Sequence, residues 1–141
     1  MNEIENIIDS LRRSPLLLEN LLTYIPEDVR KLNRIKNKWS IHEHACHIVD
    51  VQPMLVDRFI LFRDEPNPVL KPYLPGKTVS DDHLKNMDLK ESIKRFYGLR
   101  EELLNIIKNF DSDIWNKKVK HDEYSDFTPL IQFRHVSYCT I

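Results

Sequence analysis

The apolar residues of this chain recur at intervals of three and four, separated by stretches with no such rhythm. Ile4, Ile7, Ile8, Leu11, Leu18, Leu21, Leu22 and Ile25 mark a helix over residues 2–25. Ser14-Pro15 falls inside it, and a proline there removes a backbone donor and crowds the preceding turn, so a kink or restart with Ser14 as a new N-cap is expected. "IPEDVRKLN" then reads as one short helical turn, with Pro26 near its first position and acids in its first turn.

A second long helix is predicted from Ser40. Glu43 stands three residues on, which makes a capping box. Ile41, Ala45, Ile48, Leu55, Phe59 and Phe62 supply its apolar stripe, and Pro53 should bend it. The stretch "DEPNPVLKPYLPGKTVSDDH" carries Pro66, Pro68, Pro72, Pro75 and Gly76 and reads as a long extended connection. Such a connection serves either as a lid over a site or as a crossover along a bundle. A third helix over residues 89–110 places Leu89, Ile93, Phe96, Leu103, Ile107 and Phe110 on one side. "DSDIWNKKVKHDEYSDF" is turn-like with room for a short extended piece. The last helix starts at Thr128-Pro129, a cap followed by proline, with Leu130, Phe133, Val136 or Ser137, and Thr140 or Ile141 on its inner side. The architecture inferred is all-α: one four-helix-bundle domain over residues 1–141, with a long connection between helices two and three and a short final helix.

Composition sharpens this picture. The chain has 141 residues, 41% of them apolar, enough for one core. Gly76 and Gly98 are its two glycines, too few for the tight turns of a sandwich or barrel. A formal net charge of −1 with mixed signs argues against a nucleic-acid partner. Cys46 and Cys139 are isolated cysteines, which suits a reducing cytoplasm better than a disulfide framework. The acidic "MNEIENIIDS" has no basic n-region, and no apolar run approaches the roughly 20 residues of a membrane span.

Candidate chemistry gathers in "KWSIHEHACHIVD", which holds His42, His44 and His47. Glu43 and His47 are i,i+4, and carboxylate with neutral imidazole binds divalent first-row metals, although a metal needs ligands from a second helix. With the stripe centred near Ile48, His44 falls inside the apolar face and reads as a core histidine. His47 lies at the edge, where it could reach a cleft, and His42 points to solvent. Cys46 reads as a small packed hydrophobe. Trp39 takes the position of a hydrophobic staple. Arg100 falls on the apolar face of helix three between Phe96 and Leu103. It calls for a partner, either a carboxylate (Glu43, Asp50 or Glu19) or a bound anion at the bundle mouth. His135 and Cys139 are i,i+4 on the last helix and are competent zinc ligands. His83 and His121 lie in loops and read as solvated.

"KWSIHEHACHIVD" resembles the helix-two signature of the DinB/YfiT-like family: Trp-Ser, a glutamate three residues after the serine, a histidine four residues later, then an apolar residue. "FYGLREELLNIIKNF", with Arg100, is similar to its third helix, "FTPLIQFRHVSY" to the start of its fourth, and "RRSPLLLENLLTYIPEDV" to its first helix and following turn. The resemblance covers nearly the whole chain. It implies a four-helix bundle, often a homodimer, and a three-histidine site for zinc or nickel. The helix-two ligand matches His47 rather than His44. The first helix-four ligand falls at Cys139 and the second four residues later, past Ile141. A site of His47, His135 and Cys139 would be a variant of that pattern. The implied activity is metal-dependent transfer to a low-molecular-weight thiol, with Arg100 on the cofactor side. The competing reading is a non-catalytic bundle that dimerises or binds a small ligand.

Overall fold

The computed structural model of the chain describes residues 2–72 and 82–139, the last two by backbone alone. Pro75 and Gly76 of the long connection, and Thr140 and Ile141, lie outside the described residues. The described elements are eight helices: α1 Glu3–Thr23, α2 Glu27–Arg30, α3 Ile41–Asp50, α4 Gln52–Asp64, α5 His83–Asn86, α6 Leu89–Ile107, α7 Ser112–Trp115 and α8 Pro129–Cys139. Four of the predicted segments become the bundle: α1, the pair α3–α4, α6 and α8. An isolated bridge, Val69–Lys120, holds the two polar connections against each other, and a second, Val119–Phe127, folds the later one back on itself.

The ends of these helices follow from local chemistry. Asn2 and Glu5 form a capping box on α1, and Ser40 and Glu43 form the expected one on α3. Asp88 caps α6 by accepting from the Glu91 N–H, and Thr128 Oγ1 accepts from the Ile131 N–H at 3.2 Å. Lys117 Nζ donates to the Phe62 and Glu65 carbonyls at 2.6 and 2.9 Å, satisfying groups that the end of α4 leaves without intrahelical donors.

The two internal prolines act differently. Pro53 lies in the first turn of α4, and the helix breaks at Val51, so the predicted second helix is two segments. Pro15, by contrast, sits inside a continuous α1. The expected restart does not occur, and Ser14 is not a cap: its hydroxyl donates to the Ser10 carbonyl at 2.9 Å. Proline at 15 deprives the Leu11 carbonyl of its helical N–H donor. Arg100, arriving from α6, supplies a replacement, with Nη1 donating to Leu11 O at 3.2 Å.

The core lies between α1, α4, α6 and α8. Phe59 is fully buried at its centre, with ring centroids of Phe62, Phe110, Trp115 and Phe133 at 5.2, 6.3, 6.4 and 6.1 Å. A smaller cluster of Leu22, Ala45 and Ile93 joins α1, α3 and α6 at the other end. Glu3 and Arg134 pair at 2.5 Å and tie the start of α1 to α8.

Candidate functional site

The site is built on α3, which the Ser40/Glu43 capping box starts. Glu43 Oε1 accepts from the Ser40 N–H at 3.1 Å and from Asn33 Nδ2 at 2.9 Å. Burial works to raise the Glu43 pKa, but the hydrogen bonds from Asn33 and Ser40 together outweigh it and hold the carboxyl below its usual range. Both oxygen-directed donors are structural, so Glu43 serves as a cap and not as the metal partner that its i,i+4 spacing to His47 allowed.

The buried arc of α3 is rotated from the expected one. His42, Glu43, Ala45, Cys46 and Val49 are buried, while His44 is exposed and Ile41 is 37% exposed. The readings of His42 as solvated and His44 as a core residue are therefore reversed. The reason is geometric: α3 packs on α6, with Ala45 clustered with Ile93 and Cys46 beside Ser92. His42 lies one turn before Cys46 on that face, and His44 stands about 200° away from His42. Cys46 is packed as expected. Its Sγ lies 3.6 Å from His42 Nε2, and burial pushes the thiol up despite the Ser92 hydroxyl beside it.

His47 lies at the edge of the helix, partly buried, as its position predicted. Trp39 packs against it with ring centroids 4.8 Å apart and the planes tilted by 52°, and meets His44 edge-on at 5.3 Å, so the staple contacts both rings. Desolvation lowers the His47 pKa, with His44 adding to this and Asp50 opposing it. The imidazole is thus neutral at neutral pH, the form that binds metal. The sign for stability is definite. An unfolded His47 binds a proton more readily than the folded one. Its contribution is therefore present above the unfolded value near 6.5 and declines as pH falls through that value towards the lowered folded one. A proton NMR titration is expected to place the His47 midpoint below the ordinary histidine value of about 6.5; a midpoint above it would contradict this placement.

Asp50, one turn beyond His47, pairs with His83 at 3.3 Å. His83 is thus not a free loop histidine but the first residue of α5, pinned against the end of α3. No local signal marks this pair, because its members are 33 positions apart.

Arg100 is 2% exposed. Besides Leu11 O, its Nη2 donates to Gln52 Oε1 at 3.1 Å, and its guanidinium carbon lies 4.9 Å from the Phe96 ring centroid. Gln52 is fixed in turn by Nε2 donating to Ile48 O at 2.7 Å. None of the carboxylates expected as partners pairs with Arg100 among the described residues. Its charge is stabilised by a carbonyl, an amide and a ring, and burial brings its pKa down to about 10, still charged at neutral pH. Arg100 Nε is buried without a partner among the described residues.

His135 is exposed on α8, with the Tyr124 ring 6.4 Å away. The Cys139 side chain lies outside the described residues. Among the described residues no three His, Cys, Asp or Glu side chains come together closely enough to hold a metal ion. The donors in view therefore do not by themselves fit the three-ligand centre that the family resemblance implies.

The helices, their order and the placement of His47 define an all-α four-helix bundle whose second helix presents a histidine at its edge. The sequence matches the DinB superfamily over residues 10–138, and the chain belongs to that family. Its fold is similar to the solved structure of YfiT from Bacillus subtilis, described as a probable metal-dependent hydrolase with an unusual four-helix bundle topology. The TM-score is 0.79 at 14% identity, over 99% of this chain and 80% of that one. No curated protein matches. No helix among the described residues is long and apolar enough to cross a membrane.

Proposed function

We propose that this chain is a metal-dependent enzyme of the DinB type with a variant metal centre, in which His47 is one ligand and the end of α8, carrying Cys139, contributes another. The observation that carries this reading is His47 itself: neutral, partly buried, and contacted by Trp39 at the helix-two position of the family. Imidazole with thiolate suits zinc, and the family resemblance adds nickel. The reaction class is transfer involving a low-molecular-weight thiol, with hydrolysis, the activity ascribed to YfiT, as the alternative chemistry. Arg100 belongs to the framework in this proposal, because its guanidinium is directed at Leu11 and Gln52.

Metal analysis of purified protein dialysed against zinc or nickel tests it. One equivalent of metal is expected, falling to background in His47→Ala and strongly reduced in Cys139→Ala. Metal-free wild-type protein with an unchanged thermal melt would remove the proposal. It would favour the second reading, a non-catalytic bundle that binds a small ligand.

We further propose that the chain self-associates through α1. Leu17, Leu21 and Tyr24 stand at i, i+4 and i+7 and are 48%, 58% and 86% exposed. They form one outward apolar stripe that water covers poorly. Light scattering is expected to give a dimer mass, and Leu21→Asp a monomer; a wild-type monomer at high concentration would rule this interface out.

A further inference from the structure

A cavity of about 590 Å³ lies between α1, α2 and α6, lined by residues that belong neither to His47 nor to its neighbours. Leu22, Leu89 and Ile93 give it an apolar floor, and Leu22 and Ile93 belong to the small core cluster beneath. Its polar lining is lopsided: Arg30, Lys90 and Lys94 contribute three cations, and Glu19 the one carboxylate.

That carboxylate is engaged, since Tyr97 Oη donates to Glu19 Oε1 at 3.2 Å. Arg30 is fixed in place by Nη1 donating to the Leu22 and Ile25 carbonyls at 3.1 and 2.8 Å. This caps the end of α1 and leaves Arg30 Nε buried with no partner among the described residues. Lys90 and Lys94, one turn apart on α6, make no ion pair among the described residues. The cavity volume falls within the range of about 300–1,000 Å³ usual for small-molecule sites.

An apolar floor under an excess of cationic side chains has a definite complement, a ligand with an apolar body and one anionic head. We propose that this cavity binds a short amphipathic monocarboxylate, with its chain on Leu22, Leu89 and Ile93 and its carboxylate between Lys90, Lys94 and Arg30. The proposal does not depend on a metal or on His47.

Octanoate and 1-octanol share an apolar chain and differ in the charged head, so titrating both against the whole chain by methyl NMR tests it. Octanoate is expected to shift the Leu22, Leu89 and Ile93 methyls saturably and to bind about tenfold more tightly than octanol. Lys90→Glu combined with Lys94→Glu, both at exposed positions, is expected to weaken octanoate about tenfold and leave octanol unchanged. Thr23→Trp, which fills the groove at its rim, is expected to abolish both. The melting curve of each variant confirms folding. Equal affinity for the two probes, indifference to the double charge reversal, or no saturable shift at those methyls would overturn the proposal.

Discussion

Arg100→Met is expected to destabilise the fold by about 2–4 kcal/mol, since it leaves the Leu11 carbonyl and the Gln52 amide oxygen buried without their donor. Part of the loss is offset because a desolvated charge is removed as well. Methionine keeps much of the volume, so the effect reports hydrogen bonding more than a cavity. The decisive measurement is a double-mutant cycle with Pro15→Ala. That substitution restores an N–H that can donate to Leu11 O within α1, so the carbonyl no longer depends on Arg100. In the Pro15→Ala background the Arg100→Met cost should fall by about 1 kcal/mol or more. Strictly additive effects in urea denaturation would show that Arg100 does not substitute for the donor that proline removes.

Phe59→Ala is expected to cost about 3–5 kcal/mol, the usual range for deleting a fully buried aromatic ring. Phe59 is in ring contact with four other aromatics that come from α4, α7, α8 and the turn just past α6. The cavity left behind would border all of them, and little can move in to fill it. Near-ultraviolet circular dichroism should lose aromatic signal in proportion, with helix content retained at low temperature. A loss under about 1 kcal/mol would place the centre of the core elsewhere.

Much of the bundle is legible in the chain because helix ends are local. Ser40 with Glu43 and Thr128 with Pro129 carry their own hydrogen-bond and dihedral logic within three or four residues, and the structure places them as the spacing predicts. The apolar face of α6 is equally plain, including the fact that Arg100 lies on it. His47 at the edge of helix two is legible too, both from its spacing and from the family pattern.

Other features depend on what a segment packs against. The sequence calls for a carboxylate or a bound anion beside Arg100; the structure gives it a backbone carbonyl on another helix, made available by a proline 85 positions away. His42 and His44 exchanged roles because a helical wheel gives relative angles only. The absolute orientation came from α3 settling on α6 through Ala45 and Cys46. The Asp50–His83 pair and the cationic groove likewise join distant segments.

By itself the sequence determined the long helical segments of the bundle, the caps at Ser40 and Thr128, the inner face of α6 and the family to which the chain belongs, because these follow from spacing and from contacts within a turn or two. Only the tertiary structure decided which way α3 is rolled, that α1 runs unbroken through Pro15, and which groups face one another across the bundle. Those outcomes are set by the burial of apolar faces against partners far along the chain, and a pattern read along one segment carries no record of what lies opposite it.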